Sequence, residues 1–267
     1  VTRLTSALAV DTTFGSGGFV TRFWGGFSIR NADVAVASDG SIYVAGGTTA
    51  SVGGNASFLI RWTAAGVRTY EFLELEYGND ESIARVLATS DGKILLAGWT
   101  RSSTPDWTES APVTATWFVQ RRVAASGLID GSFGSGGKTV VTWPVLPVTN
   151  MLFFLPEALH NQLGGATRDS SGRIFLAGQV TTSYGLLPYI VRLTANGALD
   201  TTFGASGKLL FLLGPGARPS GAVDVAVVTP AGLAPALLLW GFHFPEGSSR
   251  ASAVLGARTL DGAFYPG

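Results

Sequence analysis

Short apolar runs of strand length recur along the whole chain, each ended by glycine, proline or aspartate, and helical spacing of apolar positions is confined to brief stretches. The clearest runs follow a turn: SDGSIYVAGG at 38–47, SDGKILLAGW at 90–99, SSGRIFLAGQ at 170–179 and a worn ALLLWGF at 236–242. In SDGKILLAGW, Asp91 and Gly92 predict a hairpin turn whose glycine takes positive φ. The apolar run behind it predicts a strand buried on both faces, which Ala97 and Gly98 are expected to close with small side chains. A second pattern follows each of these: FLIRWTAAG at 58–66, FVQRRVAASG at 118–127, YIVRLTANG at 189–197 and VLGARTLDG at 254–262. A third appears as DTTFGSGG at 11–18, DGSFGSGG at 130–137 and DTTFGASG at 200–207. Here the aspartate can accept hydrogen bonds from N–H groups a few residues on, the glycines supply φ values that other residues resist, and Phe14 can plug a seam. The stretch is expected to be a corner that turns the chain from the last strand of one unit into the first of the next.

Gly46, Gly98, Gly178 and Gly241 stand 52, 80 and 63 residues apart, so each unit of about 65 residues has room for four strands. One such antiparallel sheet cannot bury both apolar faces alone and must stack on its neighbours; stacking about an axis makes a β-propeller. The expected architecture is therefore all-β: a single propeller domain of four-stranded blades, with repeats over about 11–67, 68–129, 130–199 and 200–264. VTRLTSALAVD at the start matches IVRLTANGALD at 190–200, so residues 1–10 resemble the end of a preceding repeat. A closed four-bladed wheel is expected, with a section of a larger wheel as the alternative. The corner is missing before the second unit, where VRTYEFLELEYG stands instead, and that seam is expected to be looser.

The order LDTTFGASGK, DGKILLAG, YIVRLTANGALD resembles the delta-60 repeat, a propeller-like module of large exported or surface-attached bacterial proteins, over nearly the whole chain. The resemblance implies a propeller-type fold and an extracellular or cell-surface location. It carries no shared catalytic motif onto this sequence.

Composition agrees with many short strands and tight turns: 46% of the 267 residues are hydrophobic, 13% are charged, and there are 36 glycines and 16 phenylalanines. Eighteen basic residues balance eighteen acidic ones, so no overall field favours nucleic acid, and near-zero net charge favours self-association. Without cysteine there is no disulfide, thiolate metal site or cysteine nucleophile. The opening VTRLTSALAV lacks the long apolar core of a signal peptide, which leaves a mature, trimmed or never-exported chain. Two uncharged runs, 139–156 and 225–245, are not expected to cross a membrane. Pro144, Pro147 and Pro156 break the first, and Pro230, Gly232 and Pro235 split the second into strand-length halves.

Residues repeated in every unit are explained by the fold, so a site is sought where the units differ. RSSTPDWTESAPV at 101–113 carries Asp106, Trp107 and Glu109 just after Trp99. A tryptophan beside carboxylates can hold a sugar by stacking and hydroxyl hydrogen bonds, or it can simply pin a long loop. Asp106 and Glu109 are too close in one loop to hold the separation of a glycosidase pair. A second insertion at 144–165 contains LPEALHNQLGG, which reads as a short helix with Pro156 near its start and Gly164 just past its end. Its run Met151, Leu152, Phe153, Phe154 and Leu155 is expected to cover or plug the wheel, with a protein or lipid surface as the sharper alternative. Glu74, Glu76 and Asp80, in EFLELEYGNDES, are the candidate ligands for calcium, the one cofactor these residues suggest; a solvated strand face is the plainer reading, with Arg22 pairing one of the glutamates. His160 and His243 lack ligand-spaced neighbours, and a structural role is expected of each. Arg3, Arg61, Arg121, Arg192 and Arg258 recur at one place and predict a structural hydrogen bond or ion pair between neighbouring strands.

The function expected from these features is an exported, non-enzymatic binding or scaffold module whose rim loops take a glycan or protein. A lyase or hydrolase with a site over a central channel, and a self-assembling surface protein, are the alternatives.

Overall fold

The computed structural model describes residues 1–24, 28–49, 55–73, 80–101, 115–143, 162–182, 185–210, 220–243 and 252–263. Among them every helical or extended element is a β-strand: β1 (Ile29–Val36), β2 (Ile42–Thr49), β3 (Asn55–Trp62), β4 (Arg68–Leu73), β5 (Asp80–Ala88), β6 (Lys93–Arg101), β7 (Ala115–Val123), β8 (Lys138–Val141), β9 (Gln162–Arg168), β10 (Ile174–Thr182), β11 (Gly185–Leu193), β12 (Lys208–Leu210), β13 (Ser220–Val228), β14 (Ala236–His243) and β15 (Ser252–Thr259). They build four antiparallel sheets in chain order, β1-β2-β3-β4, β5-β6-β7-β8, β9-β10-β11-β12 and, among the described residues, a three-stranded β13-β14-β15.

In the second and third sheets the second strand is apolar and buried on both faces. Ile94, Leu95, Leu96 and Ala97 are all buried, as are Ile174, Phe175, Leu176 and Ala177. Burial of each large side chain contributes about 1.5–3 kcal/mol before the cost of ordering it. Gly40 and Gly92 take positive φ in the preceding turns, as the Asp-Gly signal requires, and Gly172 after Ser171 and Gly232 after Ala231 do the same. The run does not stop at Ala97 and Gly98, however: β6 continues to Arg101. The glycine has another task. A Cβ at Gly46 would collide with the Asn31 backbone, where β1 approaches closely at an irregularity between Ile29 and Asn31. The third and fourth sheets have an irregularity beside the same glycine, between Ala177 and Gly178 and between Ala222 and Asp224, the partners of Gly241 and Trp240.

The chain falls into two compact units, Val1–Leu96 with Arg121–Asp130, and Ala97–Gln120 with Gly131–Gly267. In the first, β5 packs beside the first sheet through side-chain staples. Asn31 donates to the Ile83 carbonyl and its own amide oxygen accepts from Gly47 N (3.1 Å) and Ser82 Oγ (2.8 Å). Asp33 accepts from Val86 N at 2.9 Å. In the second, Phe175, Ala177 and Ile190 of the third sheet share one core with Val225, Leu237 and Leu239 of the fourth and with the corner residue Phe203.

The corners sit one strand earlier than expected. Corner 130–137 lies between β7 and β8, and β8 pairs back onto β7, so the corner turns the third strand of a sheet into the fourth strand of that same sheet. Corner 200–207 does the same between β11 and β12. The repeat in sequence and the sheet in space are therefore out of phase by one strand. The amino terminus follows this rule. Thr2 bridges Phe19 and Leu4 bridges Val10, as Leu193 bridges Leu199, so the first twenty residues are a third strand, a corner and a fourth strand.

The last four residues of the second insertion also differ from expectation. Gln162, Leu163 and Gly164 open β9 instead of ending a helix, with Leu163 opposite Gly178 and Gln162 opposite Gln179. Pairing with β10 outweighs a helical pattern only a turn or two long. Residues 144–161, with the apolar run at 151–155 and His160, lie outside the described residues. The second uncharged run is split as expected, into β13 and β14. No helix among the described residues is long and apolar enough to cross a membrane.

Candidate functional site

The recurring polar residues form one structural device. In the third sheet Arg192 leaves β11 and donates from Nε to Asp200 at 2.8 Å, from Nη2 to Thr202 at 2.8 Å and from Nη1 to the Leu260 carbonyl at 2.7 Å, while its guanidinium lies 4.9 Å from the centre of the Phe203 ring. Asp200 in turn accepts from the Thr202 hydroxyl at 2.6 Å and the Thr202 N–H at 3.2 Å. Arg3 repeats this with Asp11, Thr13 and Phe14, and Arg121 pairs with Asp130 at 2.9 Å. The hydrogen bond from the threonine hydroxyl, then the arginine, hold the Asp11 and Asp200 carboxyls below the ordinary aspartate range, against the opposing effect of burial. Arg61 has no corner after it, and turns instead to Ser41 (2.8 Å), the Tyr43 hydroxyl (3.1 Å) and Asp39 (3.6 Å). At Arg3, Arg121 and Arg192 the expected structural ion pair is present, though it ties a strand to a corner and not one strand to the next.

Each corner then docks on a turn. Gly15 N–H donates to the Ala65 carbonyl, and Gly134 N–H to that of Asn196. Phe133 sits against Gly197, where a Cβ would stand 2.6 Å from the ring. Where the corner is missing, aromatic side chains of β4 take its place. The Tyr70 hydroxyl donates to the Ala124 carbonyl at 3.1 Å, a Cβ on Gly127 would stand 2.5 Å from the Phe72 ring, and Arg122 lies 5.2 Å from the centre of that ring. Burial pushes the Tyr70 hydroxyl up. The seam is thus filled by a different residue set.

Of the candidate ligand residues, Trp99 is near the end of β6, half-buried, immediately before the insertion at 101–113. Asp106, Trp107 and Glu109 lie outside the described residues, as do Glu74, Glu76 and the side chain of Asp80, whose backbone opens β5. Among the described residues no group of three or more His, Cys, Asp or Glu could hold a metal ion. His243 ends β14.

Two arrangements went unread in the sequence. Arg22 pairs with Glu71, the first glutamate of EFLELEYGNDES: the Glu71 carboxylate accepts from Arg22 Nε at 2.8 Å, Arg68 Nη1 at 2.6 Å and the Trp24 indole N–H. Burial acts to raise the Glu71 pKa, but these donors outweigh it and hold the carboxyl below the ordinary glutamate range. Beside this node lies an open cleft of about 580 Å³, lined by Phe19, Arg22, Phe23, Trp62, Val67 and Arg68 among others. In the second unit, Trp143, directly after β8, meets Trp117 and Tyr189 edge-on or tilted at 5.0 Å, and Lys208 Nζ lies 4.4 Å from its ring centre. Burial lowers the Lys208 pKa. A tryptophan just past a fourth strand was the available signal, but only the packing of three strands shows what it touches.

Comparison with known proteins gives a family match and similar solved structures. Residues 170–203, running from the turn before β10 to Phe203, match the family model described as "Domain of unknown function (DUF5122) beta-propeller". No curated protein matches the chain. Among solved structures, the crystal structure of a thermostable family-43 glycoside hydrolase is similar at 10% identity and a TM-score of 0.48, over 92% of this chain and 72% of that one; a likeness of that size carries no argument about chemistry. The family match, over the stretch where strand, turn and corner follow in order, supports a β-propeller repeat.

Proposed function

We propose that the chain is an exported, non-enzymatic binding or scaffold module of a bacterial surface, which takes a glycan or protein ligand on rim loops that differ between the repeats. The observation that supports this best is the use made of the repeated polar residues. Arg192 has Asp200, Thr202 and the Leu260 carbonyl around it, and Arg3 is engaged in the same way. With the repeated charges engaged in the corners, recognition falls to residues that differ between repeats. Trp99, with Asp106, Trp107 and Glu109 following it in sequence, is the set best suited to a sugar: an indole face for the apolar side of the ring and carboxylates for its hydroxyls.

The folded chain is expected to bind on a glycan array or to isolated cell wall, and Trp107→Ala to weaken that binding by about tenfold or more. Glycan and cell-wall screens without a hit, or a hit indifferent to Trp107→Ala and Trp99→Ala, would remove the glycan reading. Calcium at Glu74, Glu76 and Asp80 is a separate proposal. It predicts a rise in melting temperature with added calcium that Glu74→Gln with Glu76→Gln abolishes.

A further inference from the structure

One fourteen-residue pattern occurs twice, as DTTFGSGGFVTRFW at 11–24 and DGSFGSGGKTVVTW at 130–143, and each copy ends on a tryptophan. The two tryptophans pack alike. Trp24 meets Phe58 edge-on and Trp143 meets Tyr189 at a tilt, both with ring centres 5.0 Å apart. Phe58 and Tyr189 in turn hold the same place in the matching runs FLIRWTAAG and YIVRLTANG. The polar surroundings differ. At Trp24 a cation lies over the ring, the Arg22 guanidinium 5.6 Å from its centre, and the Glu71 carboxylate joins that cation to the indole N–H.

At Trp143 the cation is kept and the carboxylate is replaced. Two residues past Phe58, Ile60 pairs with Glu71; two residues past Tyr189, Val191 pairs with Lys208, so a lysine occupies the position of the glutamate. Lys208 Nζ lies 4.4 Å from the centre of the Trp143 ring and donates to the Thr142 carbonyl at 2.7 Å, on the solvent side. The Trp143 indole N–H is buried and meets no acceptor among the described residues. A buried donor of this kind and a half-buried ammonium beside it both favour an anion that touches the two together. Burial alone is what lowers the Lys208 pKa, with no carboxylate opposing it.

We infer that Trp143 and Lys208 form a site for the carboxylate of a sugar acid, which accepts from the indole N–H and the ammonium as Glu71 accepts from Trp24 and Arg22. The site uses none of the residues at 101–113 and so goes beyond the glycan reading above. One N–H and one ammonium match a single negative charge better than a phosphate dianion, and the half-buried indole suits a ring with an apolar face. Lys208 carries its charge on a flexible stem, so the ammonium can swing from the Thr142 carbonyl to the ligand.

NMR of the nitrogen-15-labelled full chain reads the Trp143 indole N–H directly, its signal assigned by contacts with the Tyr189 ring. Glucuronate is expected to move that one of the seven tryptophan signals saturably, with glucose, acetate and phosphate binding at least about tenfold more weakly at the same ionic strength. Lys208→Met is expected to weaken glucuronate binding at least about tenfold at an unchanged melting temperature; Lys208→Gln serves if methionine disturbs folding. Lys208→Glu supplies the acceptor that Trp24 has in Glu71, so it is expected to move the Trp143 signal without ligand and to abolish the response to glucuronate. An indole signal indifferent to glucuronate overturns the inference, as does a response that glucose matches or that Lys208→Met or Lys208→Glu leaves intact. Acetate, phosphate or a glutamate-rich peptide bound as tightly as glucuronate overturns the sugar acid as the ligand.

Discussion

Leu8 shows at the scale of one residue how much the repeat depends on glycine. It occupies the turn position held by Gly197 in the third sheet and takes φ 61°, in the left-handed region where a leucine side chain is strained. At 80% exposure it has little packing to offset that strain. Leu8→Gly is expected to stabilise the fold by about 0.5–1 kcal/mol, read as a rise of a few degrees in melting temperature. Gly197→Ala is the opposite case: φ is 84° and the new methyl would meet the Phe133 ring. It is expected to cost about 2 kcal/mol or more in urea unfolding. The carboxylates predict the response to acid. Asp11, Asp200 and Glu71 all titrate below their ordinary values in the folded chain, so the folded state binds protons more weakly than the unfolded one. Their contribution is complete above the ordinary carboxylate range and is lost as pH falls through about 4 toward the lower folded values. The urea midpoint is expected to drop below that pH, with a shallower drop in Asp200→Asn; a midpoint flat to about pH 3 would contradict this assignment.

At the scale of elements, the apolar runs after Asp-Gly were legible because a strand covered on both faces needs no alternation, and the flanking turn chemistry bounds it. The corners were legible as turns but misplaced by one strand. A motif shows that the chain reverses; which strand it then pairs with depends on a neighbour distant in sequence. The helix expected at 156–164 shows the same limit, since Gln162 and Leu163 pair with β10. Trp143 anchors β8 against β11 through Trp117 and Tyr189. Trp143→Ala is expected to destabilise the fold by about 3–5 kcal/mol. A loss near 1 kcal/mol or less would show that this cluster is not what holds the two sheets there.

At the scale of the molecule, stability in stacked repeats is a sum of sheets and the seams between them. Amide exchange should follow it: slowest in β2 and β10, which are paired on both sides, and fast in β15, which has one paired edge among the described residues. Uniform protection across β10 and β15 would contradict this order. Of the candidate site, the sequence located Trp99 at the mouth of an insertion and the charged recurrence at Arg192. It did not locate the Glu71 node, because Arg22 and Glu71 are brought together by the corner docking on the next turn, 49 residues away along the chain.

The amino-acid sequence alone determined that the protein is all-β, built from a repeated strand and turn grammar, because apolar runs and glycine turns are local properties readable without a partner. Tertiary structure decided which strand follows each corner, why Gly46 and Gly197 must be glycine, and what replaces a missing corner. Each of those depends on atoms brought close by packing between segments far apart in the chain, and no local pattern encodes the distance between them.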